Sequence, residues 1–131
     1  MFFRIELQSM PGTTVGRLSA GGTDWGYACL ADGEPVAYVG SGYDYYVKSM
    51  SHNSWYLNIG AGNAATWSFS PLDVILSSDK TLWIRGSSPT RRLGWPQSLD
   101  SDGNLSRWLY WVSEKDEFFK QHVVTVTKEF Q

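Results

Sequence analysis

Cysteine is nearly absent: the 131 residues hold one, Cys29, which can close no internal disulfide. Histidine is scarce as well, at two residues. No His, Cys, Asp or Glu cluster shows metal-ligand spacing, so neither a metal nor another cofactor is expected. Charged residues make up 18%, below the roughly 25% usual for soluble domains. The formal net charge of −2 lacks the basic excess of a nucleic-acid binder. No apolar run approaches the about 18 residues that a membrane helix needs, so membrane insertion is not expected. The start, Met1-Phe2-Phe3-Arg4-Ile5-Glu6, has no basic segment leading into an apolar one. The expected location is therefore the cytoplasm, or the outside of the cell by an unconventional route.

Helical patterning is missing too. No long window keeps apolar residues at i, i+3, i+4 and i+7. The one candidate is a single turn within Glu114 to Gln121, where Phe118 and Phe119 sit among charges. Catalytic signals are equally thin. His52 and His122 stand in polar or terminal settings. Cys29, between Ala28 and Leu30, reads as a buried thiol with nothing to activate it. Gly40-Ser41-Gly42 has no strand-to-helix elbow around it. An enzyme is not expected.

Aromatics and glycine are what the chain has in quantity: seven Trp, seven Tyr, six Phe and thirteen Gly. They fall into a repeated grammar. Phe3, Ile5 and Leu7 alternate with polar residues, as a half-buried strand does. Met10-Pro11-Gly12-Thr13 turns, and Val15 to Ala20 returns. Tyr45 to Gly60 repeats strand, polar turn and strand; so does Leu82 to Trp95. Each opening pair is followed by a Gly/Asp/Asn-rich connection, a Trp-bearing strand and a fourth strand. The last strand is the β-branched run Val123 to Thr127. Three units, about 1–42, 43–80 and 81–131, make one all-β domain of twelve short strands.

Threefold repetition of four-stranded units resembles a β-trefoil, in which six strands close a barrel and six cap it. The resemblance places Leu18, Leu57 and Leu93, with Ile5, Val47 and Ile84, at threefold-related positions inside the barrel. Closure would also remove exposed edges. β-Trefoils include ricin-B-like and mushroom lectins, protease inhibitors and cytokines, so the fold leaves the activity open. The Gln-X-Trp signature of ricin-B-like modules is absent: Gln8, Gln97 and Gln121 are followed two places on by Met10, Leu99 and Val123. No family site carries over.

A site is therefore sought in the residues themselves. Each connection before the third strand pairs a short polar side chain with a Trp: Asp24 with Trp25, Asn63 with Trp67, and Asp102 and Asn104 with Trp108. A flat ring packs on the apolar face of a sugar, and a stiff carboxylate or amide pairs with hydroxyls. Glycine lets the backbone come close. Against this stands a structural role, since a strand Trp is commonly core and Asp or Asn beside Gly is a turn former. These seven residues give the expectation of a lectin with shallow sites for glycans or glycoproteins. Weak sites gain strength through multivalency, which self-association would extend. A protease inhibitor presenting Ser87 to Arg92 is the alternative; an interaction module without a small ligand is the third. Asp100-X-Asp102-X-Asn104 opens like a calcium loop, but Leu105 and Trp111 stand where glycine and glutamate are required.

Overall fold

A computed structural model describes residues 1–21, 26–52 and 54–130, with the backbone alone for Ser41. It contains twelve strands: β1 (Phe2–Leu7), β2 (Thr14–Ala20), β3 (Ala28–Ala31), β4 (Val36–Ser41), β5 (Asp44–Ser49), β6 (Tyr56–Ile59), β7 (Ala65–Ser68), β8 (Val74–Leu76), β9 (Leu82–Ile84), β10 (Arg91–Gly94), β11 (Tyr110–Ser113) and β12 (Val124–Glu129). A 3-10 turn (Ala61–Asn63) and a four-residue helix, α1 (Phe119–His122), complete the elements. The helix overlaps the end of the segment Glu114 to Gln121, where the sequence predicts one turn, and runs one residue past it to His122. No helix among the described residues is long and apolar enough to cross a membrane.

The strands pair antiparallel into three sheets of four, ordered β12-β1-β2-β3, β4-β5-β6-β7 and β8-β9-β10-β11. The first sheet joins both ends of the chain, with Phe2 opposite Glu129 and Leu7 opposite Val124. Period-two alternation drives this pairing: Phe3, Ile5 and Leu7 are buried, as are Val124 and Val126 across from them.

Hairpins β2–β3, β6–β7 and β10–β11 match in register. Leu18 faces Leu30, Leu57 faces Trp67, and Leu93 faces Trp111. All six are buried. Three isolated bridges then link the units head to tail: Tyr27 with Thr66, Ala64 with Tyr110, and Trp108 with Cys29. Each unit contributes two residues spaced by two, and the third unit returns to the first. The indoles follow the same ring. Trp67 Nε1 donates to Ser19 O (3.2 Å), one place past Leu18; Trp111 Nε1 donates to Asn58 O (2.9 Å), one place past Leu57.

This register corrects two equivalences. Arg4, Lys48 and Trp83 pair with Arg17, Tyr56 and Arg92, the residues before the three leucines. Ile5 therefore corresponds to Ser49 and Ile84, and Val47 corresponds to Phe3 and Leu82. A slip of two keeps the strand face, so Ile5, Val47 and Ile84 are all buried although they do not form one set. The bridges also show that Trp108 corresponds to Ala64 and Tyr27, whereas the counterpart of Trp67 is Trp111. Trp67 and Trp108 are offset by three, an odd number, and so face opposite ways.

Candidate functional site

Between β10 and β11 the third unit carries the longest connection of its sheet. Trp95 anchors its start: it is buried, and its indole donates to Ser106 O (2.8 Å). Residues 98–106 then form a small hairpin. Ser106 N–H donates to Ser98 O (2.7 Å), Asp100 N–H to Asn104 O (2.8 Å), and Leu99 bridges Leu105. The fastener is Asp100, whose Oδ1 accepts the backbone N–H groups of Asp102 and Asn104, each at 2.9 Å. Asp readily folds a loop this way. Gly103 follows in the left-handed region, at φ 79°.

Past the hairpin, Arg107 and Trp108 lay the third unit against the first. Arg107 donates through Nε to Leu30 O (2.8 Å) and through Nη2 to Val15 O (3.0 Å). Trp108 is 40% exposed and packs tilted against Tyr27, with ring centroids 5.0 Å apart. Gly21 makes room for this ring, since a Cβ would stand 2.8 Å from it and 3.1 Å from Tyr27 O. The result is a groove of about 440 Å³ lined by Gly21, Cys29, Leu30, Ala31, Asp100, Leu105, Ser106, Arg107 and Trp108. One carboxylate, one guanidinium and one indole thus border a largely apolar floor.

Cys29 opens onto this groove and is only partly covered, where the sequence suggests a fully buried thiol without a cation nearby. Burial pushes its pKa up, and the Arg107 charge offsets this in part. The thiol is therefore mainly protonated at neutral pH and less reactive than a free thiol.

The expected site residues are distributed unequally. Asp24 and Trp25 lie outside the described residues. Asn63 is exposed at the end of the 3-10 turn, at φ 62°. Trp67 is 4% exposed and belongs to the core, so the pair Asn63 and Trp67 presents no ring to a ligand. Asp102 and Asn104 are exposed and lend their amides to Asp100 without lining the groove. Of the described candidates, Trp108 alone faces it. Asp100, Ser106, Arg107, Gly21 and Cys29 are additions. The Asp-rich run signalled a built loop, but nothing in its spacing distinguished the inward carboxylate from the outward ones. Among the described residues no group of three or more His, Cys, Asp or Glu gathers to hold a metal.

The segment Ser87 to Arg92, the candidate inhibitory loop, is closed by hydrogen bonds of its own. Ser87 Oγ donates to Pro89 O (3.1 Å) and accepts Arg91 N–H (3.1 Å). Arg91 and Arg92 already belong to β10. Arg92 is tied to Glu114 (2.9 Å) and Thr81 (2.8 Å) and lies over the Trp83 ring. No protein-family model and no curated protein matches this chain.

Proposed function

We propose that the protein is a β-trefoil carbohydrate-binding protein, and that the groove around Trp108 takes one or two sugar rings. The observation that carries this reading is the juxtaposition of a partly exposed indole with a fixed carboxylate in one groove. Trp108 offers a flat apolar face, held at its angle by Tyr27. Asp100 is immobilised through Oδ1; its Oδ2 makes no hydrogen bond among the described residues and is available to sugar hydroxyls. A volume of about 440 Å³ falls within the roughly 300–1,000 Å³ of small-molecule sites. The trefoil arrangement is supported by the sheet order, the matched hairpin registers and the cyclic bridges. Recognition here is non-catalytic, and its biological strength comes from several sites acting together, including sites on self-associated chains.

A glycan array tests this directly. Binding to a coherent set of glycans, competed by a simple sugar, is the expected result. A blank array sinks the reading, and inhibition of a protease panel by the same preparation would replace it with the inhibitor alternative.

A further inference from the structure

The core has one layer that breaks its own symmetry. Of the three corresponding positions, Ile5 and Ile84 are apolar and buried; the third is Ser49, 2% exposed. Beside it sits Glu34, whose side chain is 9% exposed. Glu34 comes from the turn Asp32-Gly33-Glu34-Pro35 between β3 and β4, pinned there by its N–H to Leu18 O (2.9 Å).

Three donors converge on Glu34 Oε1: Ser49 Oγ at 2.5 Å, His52 Nδ1 at 2.8 Å, and Ser51 Oγ. Ser49 Oγ in turn accepts the N–H groups of His52 (2.9 Å) and Ser51 (3.3 Å). Met50 N–H donates to Pro35 O (2.8 Å). The His52 ring stacks on Trp55 at 4.4 Å with 13° between planes. Ser49, Ser51 and His52 are thus fastened to one carboxylate that arrives from a different hairpin. A Ser-His-Glu relay is not what these atoms form. Ser51 Oγ faces His52 Nδ1 at 3.1 Å, the same nitrogen that faces Glu34, so no second nitrogen stands between carboxylate and hydroxyl.

We propose that Glu34, Ser49, Ser51 and His52 form an acid-released latch, which holds the chain at Ser51 and His52 against the core and frees it when the carboxylate takes a proton. His52 is the ionisable side chain that touches Glu34 among the described residues. Arg17 and the N-terminal ammonium come near in the fold but donate to the backbone carbonyls of Asp32 and Val36, and Arg17 also pairs with Glu129. Lys48, next to Ser49 on β5, projects from the opposite strand face. A carboxylate and a hydroxyl buried as Glu34 and Ser49 are stay in place only while their hydrogen bonds are satisfied. Isoleucine, as in the sister units, would have filled the position with no dependence on pH.

The direction follows from the carboxylate. Burial raises the Glu34 pKa, but hydrogen bonds from Ser49, Ser51 and His52, and the charge of His52, together bring it below its ordinary value. A group so depressed stabilises the fold above its unfolded pKa and loses that contribution as pH falls through its folded one. Release therefore lies on the acid side of the ordinary glutamate range.

The test follows backbone amides by NMR in the uniformly ¹⁵N-labelled full chain, titrated from neutral pH through the carboxylate range. Ser51, His52 and Trp55 should shift together with one midpoint while amides of β2 and β10 stay in place. Glu34→Gln should abolish that step. His52→Phe, which keeps a ring on Trp55 but removes a donor, should move the midpoint to a several-fold lower proton concentration. Amides of the turn that stay still until the whole chain unfolds would overturn the latch. So would a step that persists in Glu34→Gln, or a midpoint that His52→Phe leaves unchanged if the Gln variant does not fold.

Discussion

Trp67 and Trp108 have opposite fates on the same kind of hairpin, and one substitution at each separates them. Trp67 fills the space opposite Leu57 and spends its N–H on Ser19 O. Trp67→Ala should cost about 3–5 kcal/mol, seen as a large drop in Tm. Trp108→Ala removes a ring that is 40% exposed, so its melting should stay close to that of the parent while glycan binding is lost. Cys29 gives an independent probe, since it lines the same groove. Its alkylation at neutral pH should be slower than that of a free thiol, because burial raises its pKa, and bound sugar should slow it further. Residues were legible to the extent that burial decided them. Leu18, Leu57 and Leu93 were readable as core because each stands at a similar distance past the first apolar residue of its strand–turn–strand unit. The tryptophans were not, because ring type carries no information about strand face, and an offset of three inverts it.

At the scale of elements, the 98–106 hairpin shows what one carboxylate does for a loop. Asp100→Ala should free the Asp102 and Asn104 amides, raise their hydrogen exchange, and weaken binding by loosening the groove wall. Asp100→Asn keeps an oxygen for both amides but gives up the charge. It should leave exchange nearly unchanged while lowering sugar affinity several-fold by titration calorimetry. All twelve strands were visible in the alternation and turn residues, although the strand expected from Trp25 begins at Ala28. The run Asp32-Gly33-Glu34-Pro35 was legible as a turn. That Glu34 is buried was not, since its cover comes from Ser49, Ser51 and His52, which reach it only in the folded chain.

At the scale of the molecule, the chain closes on itself twice. β1 and β12 zip the two ends together, and the three bridges around Tyr27, Ala64 and Trp108 tie each unit to the next. No unit is complete alone, since the first sheet borrows its edge strand from the end of the chain. Ending the chain before Val124 should therefore abolish folding of the whole domain, with loss of the β signal in circular dichroism and no residual cooperative melt. That the strands fall into three groups of four was legible from the repeated strand and turn spacing; the departures from that repeat were not. Ser49 among isoleucines, and a groove formed where the third unit meets the first, are features of how the units meet. The sugar-binding reading concentrates at that junction. Its most direct measurement is a binding isotherm for the best array glycan with parent and Trp108→Ala protein, each paired with a melting curve. Binding lost from a variant that melts like the parent is the result expected here; undiminished binding in that variant would contradict the account.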